Sequence, residues 1–486
     1  MLRNILCLIC VLIFQSSFAV SSNTHTLFSD TLKRPIKNKI PSDTSGRPIR
    51  INRILVIGNK VTKEQIVLRE LTVKPGDIVY STELPIIVDL DKKKLINTRL
   101  FNTVEIRLLD FGDDVVDLLI DLNERWYTFP APIFELADRN FNEWWETYDH
   151  DFSRVNYGLR LYQYNMRGRN ETLRLTAQFG FQRRFEISYR FPYIDKKQKQ
   201  GLIIDFDFGE SKNLAYRTFD HKLDYLRSDD ILRVNRGGGL TYTYRKSFYV
   251  FHALKIEYRS SSVNDTIETI NPRYFGEGKT SQQFGILSYQ FTNDHRDYVG
   301  YPLVGHFLNA SIFRFGLMGN DDVKKVDINL NFAAFINLNK NFFLSVNTIG
   351  LWSSQKDIPY ANFTGLGYRK QLVRGYEVFV IEGPFYALNK TTLKYRLFSR
   401  TYNFNAMPIR QFRYIPLSIF LKTYGDIGYV KSYPAYDISN RLSDKAITGI
   451  GAGIDIVASY DAVFRFEYSL NGEGERGFFF HIKKEF

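Results

Sequence analysis

The stretch Leu372-Val373-Arg374-Gly375-Tyr376-Glu377 lies in an irregular segment, residues 353–383, between two runs that alternate apolar and polar residues. By the same pattern about eleven runs precede this segment and about five follow it. An arginine beside a turn glycine is common in ordinary loops, and the motif alone does not distinguish that case from a functional one. Its position is the informative feature, because it places the motif late in a long series of strands.

The alternating runs have the period of β-strands with one apolar face. The clearest apolar sets are Leu173, Leu175, Ala177 and Phe179; Leu202, Ile204, Phe206 and Phe208; and Phe464, Phe466, Tyr468 and Leu470. Polar or charged residues such as Asp205 and Asp207 lie between them, which fits lipid outside and water inside. We predict a mainly β chain in which residues 152–486 form a transmembrane antiparallel barrel of about sixteen strands, the last ending at Phe486.

Composition is consistent with such a barrel. Aromatic residues make up 16% of the chain, with 31 Tyr and 41 Phe, and 44% of all residues are hydrophobic. Outside the N-terminus no run approaches the ~20 apolar residues of a spanning helix. An aromatic outer wall around a polar lumen gives this mixture. Composition alone leaves an aromatic-rich soluble β-sandwich or propeller open.

The N-terminus predicts export. Residues 1–19 read as a secretory signal, with Arg3, an apolar run at 5–14 and the small-x-small site Ser17-Phe18-Ala19. Both cysteines lie within that signal, so the mature chain has neither disulfides nor thiolate metal sites. Residues 20–48 are polar and rich in turn formers, and we expect a flexible leader there.

Charge and motifs exclude several function classes. The net charge is +13, but basic residues interleave with acidic ones and form no stripe for nucleic acid. Outer-membrane lipids and lipopolysaccharide are the expected counter-charges. The sequence contains no Gly-x-Ser-x-Gly, no His-Glu-x-x-His and no phosphate-binding glycine loop. We therefore predict no catalytic, metal or cofactor site, and we assign carboxylates such as Asp455 and Glu467 to ion pairs in the lumen.

Residues 49–126 predict a small α+β domain in the order strand, helix, helix, strand, strand. Thr62 is the expected N-cap of the first helix, with Gln65 completing a capping box. Pro85 falls in the first turn of the second helix, where proline is tolerated. Residues 127–151 read as an aromatic linker, and Trp144 and Trp145 predict the periplasmic membrane boundary. Packing of that linker against the first domain is the alternative.

The connections predict the topology. Long connections at 260–279, 353–383 and 431–445 are expected at the cell surface, and residues 51–123 in the periplasm. Short turns are expected near Gly180, Gly209, Lys246, Asn339 and Ser459. The connections at 293–305 and 399–415 are longer than this pattern allows.

The ordered chain resembles a short member of the BamA-like outer-membrane barrel-assembly superfamily. The N-terminal domain resembles a POTRA (polypeptide-transport-associated) module, although an unrelated α+β domain is the alternative. Tyr424-Gly425-Asp426-Ile427-Gly428 is similar to the family's aromatic-x-Asp-x-Gly strand motif. Asn293-Asp294-His295-Arg296-Asp297, with Pro302 and Gly305, resembles a degraded form of another family segment.

The resemblance implies that the loop folds into the lumen and that Arg374 meets Asp426. Alternation places Asp426 on the polar face with Lys422, which is compatible with that pairing. The implied site residues are Val373, Arg374, Gly375 and Tyr376 in the loop, and Tyr424, Asp426 and Gly428 on the strand.

The implied function is insertion, assembly or translocation of other envelope proteins by an integral protein of the bacterial outer membrane. Expected partners are client envelope proteins, accessory assembly subunits and the lipids of that membrane. The route would be a weak seam between the first strand, near residues 155–164, and the last, near 477–486. Principal assembly factors of the family carry several POTRA modules, whereas this chain has room for one. A passive pore, a structural barrel or a single-substrate secretion pore is the alternative.

Overall fold

The computed structural model describes residues 46–110, 112, 114–136, 144–145, 149–368, 371–403, 414–434, 441–458 and 462–484. The predicted signal, nearly all of the predicted leader, and Phe486 lie outside the described residues. In the part of the chain that is described, no helix has the length and apolar character needed to cross a membrane.

The N-terminal elements form a small α+β region. They are β1 (Pro48–Ile57), α1 (Glu64–Leu68), β2 (Ile78–Tyr80), α2 (Leu84–Asn97), β3 (Phe101–Asp110) and β4 (Val115–Glu124). The four strands form one sheet of order β2-β1-β4-β3. The predicted order of elements is present, with the short strand β2 added between the helices. Pro85 lies in the first turn of α2, as predicted.

The predicted capping box is wrong. Helix α1 begins at Glu64, and its N-cap, Lys63, makes no side-chain cap hydrogen bond. The backbone N–H of Thr62 donates to the Glu124 carboxylate at 2.7 Å, and the Thr62 hydroxyl also contacts that carboxylate. A long-range partner therefore takes the hydroxyl that the local pattern assigned to the helix end.

The remaining strands form a sixteen-stranded antiparallel sheet. Its first eleven strands are β5 (Thr128–Leu136), β6 (Val155–Met166), β7 (Glu171–Gly180), β8 (Gln182–Phe191), β9 (Gln200–Ser211), β12 (Arg233–Arg245), β13 (Val250–Val263), β14 (Ser281–Asp294), β15 (Gly305–Phe315), β16 (Lys325–Asn337) and β17 (Phe342–Ser353). The last five are β20 (Phe385–Asn403), β21 (Tyr414–Lys431), β22 (Ala446–Val457), β23 (Ala462–Asn471) and β24 (Arg476–Lys484). The predicted number of about sixteen strands is confirmed for the sheet as a whole, of which fifteen lie within the predicted range 152–486 and β5 lies before it. The Arg374 segment follows the eleventh strand, as predicted.

The two faces of the sheet differ as the alternation predicts. Phe206 on β9 and Ile256 on β13 have exposed side chains, 58% and 53%, on the outer face. On the inner face Arg259 donates to Asp207 at 2.9 Å, and Lys255 lies 3.2 Å from Asp205. Charges thus pair within the lumen while apolar side chains cover the outside.

The first strand of the sheet, β5, lies inside the region predicted to be a linker. Residues 128–136 pair with β6 from Thr128↔Gln163 to Leu136↔Val155. This strand contains Pro130 and Pro132, which cannot donate to a ladder. An edge strand tolerates them, and β5 and β24 are the two ends of the strand order.

The connections sort to two ends of the sheet. Long ones follow β9, β13, β17 and β21, at residues 212–232, 264–280, 354–384 and 432–445, the last two described only in part. The short turn expected near Gly209 is wrong, because β9 continues to Ser211 and the hairpin β10 (Asn213–Phe219) and β11 (Lys222–Arg227) follows. Gly180 also turns at this long-loop end. A hairpin outside the barrel has the same alternation as barrel strands, so sequence alone did not separate them.

Trp144 and Trp145 lie at the long-loop end, which is predicted to face the cell surface, so their predicted place at the periplasmic boundary and the predicted orientation of the long loops exclude each other. The Trp144 indole donates to the Asp151 carbonyl at 2.9 Å, and the Asp151 carboxylate lies 3.4 Å from Arg227, at the end of β11. Both tryptophans follow β5, which has already crossed from the opposite end.

Packing divides the chain into two compact units. One comprises residues 56–71, 91–106 and 120–486 wherever these are described, and the other comprises the described parts of 46–55, 72–90 and 107–119. Within the larger unit Arg245, at the end of β12, donates to both carboxylate oxygens of Glu70 at 2.7 Å. Asn165 donates to the Thr62 hydroxyl at 2.8 Å. Residues that follow β1 are thereby fixed at the short-turn end of the barrel. In the smaller unit, Asp117 accepts hydrogen bonds from Asn52 and Arg53.

Candidate functional site

The segment at 354–384 carries the Arg374 motif and is anchored by apolar packing. It includes two short paired strands, β18 (Gly365–Leu366) and β19 (Ile381–Glu382). Val373 and Tyr376, on either side of Arg374 and Gly375, are almost completely buried. They belong to a cluster with Leu351, Leu366, Phe379, Ile381, Tyr386, Leu388, Val430, Leu442 and Ile447. Because the cluster includes residues of β17, β20, β21 and β22, the segment is packed against the inner wall.

Arg374 is bound to Asp426 of β21 through two parallel hydrogen bonds. Its Nε donates to Oδ2 at 2.8 Å and its Nη2 donates to Oδ1 at 2.5 Å. The Arg374 backbone N–H also donates to Oδ2, at 3.1 Å. Both side chains are buried, at 9% and 0% exposure. Two-point pairing with a carboxylate fixes the direction of the guanidinium as well as its position.

Other groups complete the surroundings of the guanidinium. Nη2 donates to Thr392 Oγ1 at 3.1 Å, and Nη1 lies 3.4 Å from Glu467 Oε1. The guanidinium carbon lies 3.7 Å from the centre of the Tyr424 ring. Stacking on an aromatic face suits arginine better than lysine, because the planar group matches the ring. The Tyr424 hydroxyl is within 2.6 Å of Ser469 Oγ, which fixes the ring in turn.

Gly375 turns the chain away after Arg374. Its φ is +95°, a backbone conformation that other residues rarely adopt. Its N–H donates to Glu377 Oε2 at 2.7 Å, and its carbonyl accepts from Asn471 Nδ2 at 2.9 Å. A Cβ at this position would lie 3.0 Å from the Asn471 Cβ. Both the turn and the close approach to β23 therefore require glycine.

Glycines in the wall make room for the segment. A Cβ on Gly428 would lie 2.6 Å from Val373 Cγ2, and one on Gly449 would lie 1.8 Å from the Arg374 carbonyl oxygen. Gly428 was a predicted site residue, whereas Gly449 was missed. The signal was present: glycines at 449, 451 and 453 alternate within β22, and glycine within a strand often marks close approach of another backbone.

A wider set of buried charges extends from Glu467. Lys422 lies 2.7 Å from Glu467 and 2.6 Å from Asp455, and Arg465 lies 3.2 Å from Asp455. Sequence reasoning placed Asp455 and Glu467 in lumenal ion pairs but did not connect them with Arg374. The basic and acidic side chains alternate along β21, β22 and β23, so each buried charge has an opposite neighbour.

The long-loop end also holds the segment. The Val380 N–H donates to the His221 carbonyl at 2.7 Å, and His221 Nε2 accepts from the Leu442 N–H at 2.9 Å. Thr218, on the same hairpin, donates to Glu382 at 3.0 Å. The β10–β11 hairpin thus closes over the segment whose tip reaches Asp426.

The arrangement is a structural clamp. Its cations and carboxylates bind one another, and its arginine is held from three sides. Among the described residues, no group of three or more His, Cys, Asp or Glu side chains is placed to hold a metal ion.

The comparisons with known proteins agree with this architecture. The model for the Omp85 superfamily domain matches residues 165–486. The chain belongs to the Omp85 superfamily. Residues 49–125 match the POTRA family, described as a surface antigen variable number repeat. Both predicted resemblances, to the BamA-like superfamily and to a single POTRA module, are confirmed.

Solved structures of Omp85 proteins share the fold. BamA from Haemophilus ducreyi lacking POTRA domains 1-3 is similar over 90% of this chain and 84% of that one, at 16% identity and a TM-score of 0.51. CdiB from Escherichia coli is similar over 96% and 97%, at 11% identity and a TM-score of 0.50. A search of curated proteins found no match.

Membership of the Omp85 superfamily also bears on the class of protein. An Omp85 barrel preceded by a POTRA domain is typical of the bacterial outer membrane. The prediction that this chain is not an enzyme agrees with its membership of the Omp85 superfamily.

Proposed function

We propose that this Omp85 protein assists the insertion, assembly or translocation of other envelope proteins by offering the free edge of β5 to a client strand. The Omp85 family and the BamA-like fold support handling of client envelope proteins in general. The chain would lie in the outer membrane with its POTRA module in the periplasm. Lipids of that membrane and accessory subunits are proposed as further partners.

The observation that carries the proposal is the position of two prolines on β5. The Tyr164 N–H donates to the Tyr127 carbonyl at 2.7 Å, and the β5–β6 register continues from that pair. Hydrogen-bonded pairs alternate along an antiparallel ladder, so the backbone N–H and C=O groups of the odd-numbered residues of β5 are directed at β6. The backbone groups of the even-numbered residues are directed at the other edge of β5, and Pro130 and Pro132 are among these residues. That edge therefore lacks two successive N–H donors.

The missing donors weaken any seam that β5 forms. Each backbone hydrogen bond contributes ~0.5–1.5 kcal/mol net, so two absent bonds remove roughly 1–3 kcal/mol. An opening equilibrium shifts by roughly 5- to 150-fold for that difference. The carbonyls of Pro130 and Pro132 remain, and a client strand that reaches this edge is offered acceptors there.

The first strand of this seam differs from the predicted one. Its strands are β5 and β24, instead of residues 155–164 and 477–486, because β6 is fully paired between β5 and β7. Gly474 has a φ of +88° in the turn before β24 and acts there as a turn residue. Gly477 pairs with Ser469. The weakness is therefore assigned to the prolines of β5.

The test restores the two donors. In cells depleted of the native protein, the variant Pro130→Val with Pro132→Val should lower the amounts of other outer-membrane barrels, because the seam opens less often. Pro416→Val is the matched control, since Pro416 lies on β21, away from both ends of the sheet. Client amounts equal to those of wild type would contradict the proposal.

A second experiment locks the seam. Ile133 and Phe479 both have buried side chains on the inner face, and the mature chain is predicted to be free of cysteine. A disulfide that joins the Ile133 region of β5 to the Phe479 region of β24, at a pair of positions chosen for disulfide geometry, should abolish assembly, and reduction should restore it. A locked protein that maintains normal client amounts and conducts ions like the unlocked form would indicate a passive pore instead.

A further inference from the structure

The connection between β14 and β15, residues 295–304, folds back into the barrel. It begins as a continued ladder, with the His295 N–H donating to the His306 carbonyl at 2.8 Å and the Asp297 N–H to the Val304 carbonyl at 2.9 Å. The Asp297 carboxylate accepts from the Leu303 N–H at 3.0 Å and closes the turn. Tyr301, at its tip, is 6% exposed. This connection leaves the barrel at the short-turn end, opposite the end from which the Arg374 segment enters.

Tyr301 reaches strands that are not neighbours of its own. Its hydroxyl donates to Asp455 Oδ2, on β22, at 2.9 Å. Its ring centre lies 4.9 Å from that of Phe420, on β21, and Lys394 Nζ lies 4.2 Å from the ring centre. In the sheet order β16, β17 and β20 separate β15 from β21. Tyr301 therefore makes contact across the lumen.

The carboxylate that Tyr301 binds belongs to the same charged set as Arg374. From Asp455 the contacts pass to Lys422 at 2.6 Å and from Lys422 to Glu467 at 2.7 Å. Glu467 lies 3.4 Å from Arg374. Two segments that enter from opposite ends thus hold the two ends of one row of buried charges. Every member of this row has low exposure, so little water screens one charge from the next.

We propose that Tyr301 is a positioning residue that couples the connection at 295–304 to the Arg374 segment through Asp455, Lys422 and Glu467. When the Tyr301 hydroxyl is lost, Asp455 keeps its contacts with Lys422 and Arg465 but loses a hydrogen-bond donor. Lys422 then moves toward Asp455 and away from Glu467, and Glu467 attracts the Arg374 guanidinium more strongly. Coupling between two sites is reciprocal, so release of the Arg374 segment must loosen residues 295–304 to the same degree. This coupling is a property of the lumen and holds whether or not the seam opens.

The test is Tyr301→Phe in the full mature chain in proteoliposomes. The ring and its packing remain, and only the hydroxyl is lost. Protease cleavage within residues 354–384 should become at least about fivefold faster. Tyr258→Phe is the matched control, because the Tyr258 hydroxyl binds Gln283 on an exposed surface. Asp455→Asn removes the route, so adding Tyr301→Phe to it should have little further effect.

If Tyr301→Phe does not fold, the reciprocal measurement on an Arg374 variant still tests the proposal. In Arg374→Lys, deuterium uptake by residues 295–304 should rise relative to wild type, with uptake by the β12–β13 ladder unchanged. Equal cleavage of Tyr301→Phe and wild type would overturn the proposal. So would additive effects of the Tyr301 and Asp455 substitutions, or unchanged uptake by residues 295–304 in Arg374→Lys.

Discussion

Replacement of Arg374 by methionine tests how the segment at 354–384 is held. The change leaves Asp426 buried at 0% exposure without its two-point partner. Removal of one member of a buried pair costs ~3–5 kcal/mol, whereas an exposed pair costs ~0–1 kcal/mol. Lys390 Nζ lies 3.9 Å from Asp426 and compensates in part, so we expect the lower end, ~3 kcal/mol, for undocking of the segment. That corresponds to roughly 150-fold more of the undocked state.

The assay is limited proteolysis of the full chain in proteoliposomes. Cleavage within residues 354–384 reports undocking, and the shift in gel migration between unheated and heated samples reports the barrel. The barrel should survive, because its strand ladders do not include Arg374. Arg273→Met is the control, since Arg273 of the neighbouring connection pairs at the surface with Asp357 of this segment, where the side chains are 46% and 76% exposed. Cleavage of that variant should change less than about fivefold.

A double-mutant cycle tests whether the Arg374–Asp426 pair provides the docking energy. Arg374→Met and Asp426→Asn each strand a buried partner, so their combination should cost less than the sum of the two. Additive costs would refute the pairing as the source of docking energy. Equal cleavage of Arg374→Met and Arg273→Met would refute the shielded, low-exposure view of the site.

Three further outcomes are expected. Burial lowers the pKa of His221, whose Nε2 accepts a hydrogen bond from a backbone N–H. The undocked hairpin therefore binds a proton more readily than the docked one. His221 should accordingly weaken docking as pH falls below about 6.5, the pKa of an exposed histidine. The ratio of long-loop cleavage at about pH 5 to that at pH 7.5 should therefore be larger in wild type than in His221→Gln. Gly428→Val should loosen the Arg374 segment by ~1–3 kcal/mol, because its Cβ meets Val373, whereas Gly425→Val has open space and should be tolerated, both measured by the same cleavage assay. A single cysteine at Asn264, at the start of α3 (Asp265–Ile270), should react with an impermeant maleimide on intact cells; absence of labelling would reverse the predicted orientation.

Much of the site followed from the sequence. Arg374 and Asp426 were paired through a family resemblance, and alternation placed Asp426 on the polar face. Gly449 and Tyr301 were not found, because their roles come from contacts between elements that are distant in sequence. The sequence around a strand glycine or a turn tyrosine does not indicate which distant residue it will contact.

The sequence was enough to predict the barrel, its approximate number of strands and the position of the Arg374 segment. The reason is that alternation of apolar and polar residues is a local property that each strand carries independently. The folded structure was needed to show that residues 128–136 form the first strand, since Pro130 and Pro132 are acceptable at an edge and unfavourable elsewhere. It also decided which charges meet in the lumen, because closure of the sheet brings together side chains that no spacing along the chain relates.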